Sequence, residues 1–356
     1  MKKKIILNLA MAALLSIFVL GCNRTERLYI FSWTYYLPDT IIEKFENEFN
    51  VRIILDTYAS NEEMLARLLA TFRPGRRAVG RQYDIVFPSG DFVPIMITHG
   101  MLERIDHSLL QNMGNIDPII LNKSADPYME YSVPYFYGAA GIIVNTARVP
   151  EFERSWSIFA REDLAGRMTM LDDLREVIGG ALLYLGYSVN STDPDQIHAA
   201  RDLINNYWRP NLVRFDAEAF GIGFASGDFW VVHGFPEVVF EEIAGNAQLL
   251  QDTYFFIPQE GGVAYIDSMV ILRGSQNVEL AHKFIDFIHR PEIYAAFVDF
   301  FDFPATVNVP ARELTTSASP LFTVEQLYET ELVHYLGPEA VELFHDVWFN
   351  SIRIGR

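Results

Sequence analysis

One cysteine among 356 residues allows no internal disulfide, and without a Cys/His cluster there is no structural zinc site. Basic residues are scarce too: 28 Lys plus Arg stand against 46 Asp plus Glu, a formal charge of −18. A chain so short of cations suits a phosphate backbone badly, because Lys and Arg supply that affinity, so nucleic acid is excluded as a partner. Cationic partners are favoured, although surplus acid also serves solubility alone. Catalytic signatures are missing as well. There is no His-Glu-x-x-His and no Gly-x-Ser-x-Gly, and Gly75 to Gly80 lacks the Lys-Ser/Thr of a phosphate loop. No enzyme activity, cofactor or metal site is read from the sequence. What is plentiful is apolar: half of the chain is hydrophobic, ample for packed cores, and the length fits two domains of roughly 100 to 200 residues each.

The lone cysteine closes the first feature of the chain. Met1-Lys2-Lys3-Lys4 is a basic start, Ile5 to Leu20 is apolar apart from Asn8 and Ser16, and Val19-Leu20-Gly21-Cys22 ends the run. The stretch is marginal for a bilayer span, which needs about 20 apolar residues. The segment resembles a bacterial lipoprotein signal, 1–22, in which Cys22 becomes the lipidated first residue of the mature chain; an uncleaved anchor or an ordinary secretory signal are the alternatives. Losing three lysines and no acid takes the formal charge from −18 to −21. A polar tether, 23–27, follows.

Beyond it, strand and helix signals alternate. Leu28-Tyr29-Ile30-Phe31 reads as a strand, Asp39 as the N-cap of a helix burying Ile41, Ile42, Phe45 and Phe49, and Val51 to Leu55 as the next strand. Ser60-Asn61-Glu62-Glu63 is a capping box opening a helix, and Tyr83 to Phe87 is a third strand. A second block of this kind begins near residue 139, with strands at Ile142-Ile143-Val144, Met168 to Leu171 and Val263 to Asp267. Alternation of this sort implies βαβ units and mostly parallel sheets, whose ligands lie beyond the carboxyl ends of the strands. The basic loop with Arg73, Arg76, Arg77 and Arg81 reads as solvated.

That rule singles out Trp33-Thr34-Tyr35-Tyr36 after the first strand and Ser89-Gly90-Asp91 after the third, which should face one crevice; packing of the aromatic rings into a loop is the competing reading. Asp173 and Glu176 share a helix face, yet an Asp cap followed three residues later by Glu also suits a helix start with no ligand. Tyr265 and Asp267 fall on the same side of a strand, where an acid needs solvent or a cation. Rings beside carboxylates suit an organic polycation: cation–π contacts contribute about 0.5 to 2 kcal/mol and charge-assisted hydrogen bonds about 1.5 to 3 kcal/mol.

Several segments then agree on one family. Leu28 through Pro38, Thr57 through Glu62, Tyr83 through Ser89, Val133-Pro134-Tyr135, Asp172 through Val177, and Pro258 through Ser268 resemble the spermidine/putrescine-binding proteins of ABC polyamine importers, in that family's order from about residue 28 to 310. The resemblance implies a two-lobed periplasmic-binding-protein fold of type II kind, each lobe a mostly parallel sheet flanked by helices and joined by crossover strands. It implies lobe 1 at 28–139 plus 271–309 and lobe 2 at 140–270 plus 310–356. It further implies a monomeric, exported receptor, lipid-anchored to a bacterial membrane, that closes on a polyamine and delivers it to permease subunits. Carried over by position, Trp33 and Tyr36 would be aromatic walls, Thr34 and Ser89 pocket lining, and Asp173, Glu176 and Asp267 acceptors of ammonium groups. Tyr265 stands where the family often has Trp and Phe303 where it often has Tyr; Tyr35 replaces an acid and Asp91 a Tyr. An ungapped reading places His233 at the central wall of the second lobe, with Phe235 or Glu237 as alternatives. A binder of another cationic solute, or of ferric ion through Tyr35-Tyr36, is the rival on the same fold, and an adhesin with a degenerate pocket is a third class.

Overall fold

The computed structural model describes residues 25–34, 36–71, 83–317, 321–328 and 330–353. Cys22, Tyr35 and the arginines Arg73, Arg76, Arg77 and Arg81 lie outside the described residues. Among those described, no helix is long and apolar enough to cross a membrane.

In chain order the strands are β1 (Glu26–Trp33), β2 (Val51–Tyr58), β3 (Ile85–Val86), β4 (Ser132–Ala139), β5 (Gly141–Asn145) and β6 (Met168–Met170). They continue with β7 (Leu212–Phe215), β8 (Val231–Gly234), β9 (Thr253–Phe256), β10 (Val263–Ile271) and β11 (Glu331–Leu332). Two sheets result, one ordered β11-β10-β3-β1-β2 with β4 also paired to β10, the other β7-β6-β8-β5-β9. Each has a parallel part, β2-β1-β3 and β7-β6-β8, and an antiparallel part made by the strands that connect the sheets.

Period-two alternation makes β1 a two-sided wall: Leu28 and Ile30 enter the larger core, while Phe31 packs with Tyr58, Met64 and Leu68 on the opposite face. The helix Asp39–Phe49 returns Ile41 and Phe45 to the first of these cores. Its N-cap is Pro38, not Asp39; the Asp39 carboxylate sits inside the first turn and makes no cap hydrogen bond, so it helps only through the helix dipole. Ser60 does cap the next helix, Asn61–Thr71. The Glu63 amide donates to Ser60 Oγ at 3.2 Å and the Glu63 carboxylate accepts from the Ala59 amide at 3.0 Å. The strand expected over Tyr83 to Phe87 shrinks to two residues, because Asp84 turns to accept from the Tyr29 amide and Asn277 at 2.8 and 3.0 Å.

The chain leaves the first sheet through Ala140, directly between β4 and β5. Gly141 is required there: a Cβ would stand 2.5 Å from the Phe255 ring and 2.6 Å from the Phe256 carbonyl oxygen. The return was expected near residue 270, but β10 pairs with β4 from Ala264 onward, so the crossing lies in the 257–262 link after β9. β11 also joins the first sheet, whereas the helix Pro338–Val347 packs Phe344 and Val347, and Trp348 after it, into the second sheet's core with Trp156 and Trp208.

Candidate functional site

A cavity of about 390 Å³ lies between the two sheets, at the strand ends. Trp33, Thr34 and Tyr36 reach it from the end of β1, Ser89 and Asp91 from the turn after β3, and Tyr265 and Asp267 from β10. From the second sheet come Asp173 and Glu176, at the start of the helix Leu174–Tyr184 that follows β6. The strand-end rule therefore brings the expected clusters together.

One end is built around Asp267. Its carboxylate accepts from Tyr36 Oη at 2.7 Å and from Ser89 Oγ at 2.6 Å, and it is buried at 3% exposure. Burial pushes this carboxyl up to about 7, with the two hydrogen bonds pulling the other way. Burial, then the Asp267 charge, pushes the Tyr36 phenol well above its usual range, so it keeps its proton. Trp33 is fixed by its indole N–H donating to the Phe87 carbonyl at 2.9 Å and by Tyr58, whose ring centroid is 4.8 Å away. Tyr265 meets Phe235 edge to face at 5.7 Å.

The rest of the wall gathers further carboxylates. Asp173 caps its helix, accepting from the amides of Arg175 and Glu176 at 2.8 and 3.1 Å, so the cap and the pocket wall are the same residue. Burial raises the pKa of Asp91, Asp173 and Glu176. Glu176 is buried and its Oε2 has no hydrogen-bond partner. Among the described residues eight acids line the cavity, and Arg175 is the one cationic side chain facing them.

Two expected wall residues are elsewhere. His233 is fully buried behind Glu176, its Nε2 3.4 Å from Glu176 Oε2 and its ring 5.0 Å from that of Trp156. Desolvation takes it down to about 3, so it is neutral and absent from the cavity wall. Phe303 stacks on Phe136 at 4.9 Å inside the first core. In place of His233 stand Phe235 and Glu237, both on the cavity wall; Glu237 is buried, pushed up to about 7 by that burial, with Oε2 unpartnered. Glu62, read only as part of a capping box, also lines the cavity, and burial followed by the charge of Asp173 pushes it up to about 7. The signal that could have found it was Glu62-Glu63: the reciprocal cap bond to the Ala59 amide uses Glu63, and the acid beside it lines the cavity.

Comparison with known proteins places this geometry. Residues 82–326 match the family described as bacterial extracellular solute-binding protein. The chain is 36% identical over 293 residues to the spermidine/putrescine-binding periplasmic protein of Escherichia coli K12, covering 81% of this chain and 79% of that one. It is 32% identical to the putrescine/cadaverine-binding protein of Pseudomonas aeruginosa, over 74% of each. Among solved structures, the TpPotD lipoprotein of Treponema pallidum superposes with a TM-score of 0.86 at 43% identity, covering 93% of this chain and all of that one.

Proposed function

The chain belongs to the bacterial extracellular solute-binding protein family, and we propose that it is an extracytoplasmic receptor that captures a polyamine of the putrescine/spermidine class between two lobes and delivers it to an ABC importer. The observation that carries the reading is Asp267, a buried carboxylate held by Tyr36 and Ser89 among rings, in a cavity lined, among the described residues, by eight acids and one guanidinium. Such a site is short of positive charge. A flexible chain of methylenes and ammonium groups supplies that charge and lays its carbons along Trp33 and Tyr265.

In this reading the lobes follow the sheets: residues 28–139 form the first together with β10 and β11, residues 141–256 the second together with the helix Pro338–Val347. Trp33, Thr34, Tyr36, Ser89, Asp91, Asp173, Glu176, Tyr265 and Asp267 hold the ligand, with Phe235 and Glu237 completing the wall that His233 does not reach. Cys22 carries the lipid anchor, the permease reads the closed form, and the receptor works as a monomer. Asp173 and Glu176 lie within one helical turn on one wall, so as a pair they do not straddle a substrate. A ferric site would need a tyrosinate, whereas Tyr36 donates its proton to Asp267.

Asp267→Asn tests the assignment. Removing the charge while keeping the shape should weaken polyamine binding about 100-fold, the loss of one buried charge-assisted hydrogen bond. Asp302→Asn, on the exposed surface, should change it less than about twofold. Equal effects in the two variants would sink the site map.

A further inference from the structure

Apart from Asp267, the carboxylates of the cavity come from both sheets. Glu62, in the first turn of the helix Asn61–Thr71, and Asp91, after β3, belong to the first. Asp173 and Glu176 belong to the second. Their fields meet across the cavity: after burial, the largest influence on Glu62 is Asp173, and Asp91 also raises both Glu62 and Glu176. Arg175 is the single cation among them, and its own hydrogen bonds go to Asn190 and to the carbonyls of Val189 and His334, not to the seam. Four carboxylates and one guanidinium leave three formal negative charges in excess. Glu176 Oε2 is buried without a hydrogen-bond partner, with His233 Nε2 standing 3.4 Å behind it.

Like charges forced together across an interface cost several kcal/mol, and a ligand drives closure only by its differential affinity for the closed form. We propose that Glu62 and Asp91 on one lobe and Asp173 and Glu176 on the other form a charge-reading seam that opposes closure until a cationic group of the ligand stands between them, with Glu62 as a specificity-determining residue. The inference rests on the polyamine reading. The seam makes the receptor sense the cationic group that stands between these four acids, so a molecule of the right length with one uncharged end binds without bringing the lobes together. Glu62 reaches the seam from the first turn of a helix whose Asn61 and Glu63 also line the cavity.

The test uses the purified receptor, with putrescine and with 4-amino-1-butanol, which has the same chain length but one charged end. Lobe separation is read by a spin-label distance and by small-angle scattering, and affinity by calorimetry. Glu62→Gln should shift the ligand-free distance toward that of the putrescine-bound form and narrow the preference for putrescine over the aminoalcohol about tenfold. Glu130→Gln, which removes one exposed acid elsewhere, should do neither. A ligand-free distance in Glu62→Gln equal to that of the wild type overturns the seam. If neither amine binds wild-type protein, the polyamine reading fails, while the ligand-free distances still decide the seam.

Discussion

Asp267 illustrates what burial does to a carboxyl that waits for a cation. Desolvation disfavours the charged form, and the hydrogen bonds from Tyr36 and Ser89 offset only part of that, so the group is held near 7. Glu62 and Glu237 stand at about 7 for the same first cause. An acid whose pKa is higher folded than unfolded keeps protons that the unfolded chain has released, so its contribution to stability is lost as pH rises from the usual carboxylate range through the folded value. His233 at about 3 and His289 at about 4 oppose this, since buried neutral histidines gain stability with rising pH up to their ordinary 6.5. Above 6.5 the opposing contribution of the two buried histidines fades and that of the raised carboxyls remains. Ligand-free receptor should therefore lose thermal stability between pH 6.5 and about 8, and saturating polyamine should flatten that slope by giving the carboxylates a partner. Melting curves across this range check it, and a ligand-free midpoint that stays level or rises would contradict it.

At the scale of elements, the close approach of β4 and β10 positions the aromatic wall. Gly138 lies opposite Tyr265, and a Cβ there would stand 2.7 Å from the Phe136 ring and 2.8 Å from Tyr265 Oη. Gly138→Ala should push Tyr265 out of the cavity, weaken polyamine binding about tenfold or more, and cost about 1 to 3 kcal/mol of stability. Calorimetric binding and denaturant unfolding of the same variant measure both; unchanged affinity would show that Tyr265 is not a wall. The alternation of β1, the capping box at Ser60 and the Asp173 cap were legible because each is written in residues close along the chain. So was the clustering of strand ends. What local pattern could not supply was long-range packing. His233 and Phe235 are two apart on the same strand-to-turn segment, and only the burial of His233 against Trp156 decides that the ring two residues later faces the ligand. Phe303 read as a wall for its ring, yet Phe136 covers it. Glu62 was missed as a site residue because it follows its helix start, where an acid has an ordinary explanation, whereas Glu237 stood only as an alternative to His233.

For the whole molecule, the surplus of 46 acids over 28 bases is mostly solvated surface, and among the described residues eight acids line the cavity between the sheets. The negative field around that cavity should speed capture of a cation and fade with added salt. The two sheets are joined beside the cavity through Ala140, through residues 257–262 and through residues 333–337, after which the C-terminal helix Pro338–Val347 braces the second sheet. Calorimetric titration of the purified receptor with putrescine, cadaverine, spermidine and spermine tests the central claim most directly. At least one of the four should bind more tightly than about 100 μM, roughly −5.5 kcal/mol, and more weakly as salt is added. No saturable heat from any of them, with saturable and coloured binding of ferric iron instead, would contradict the account.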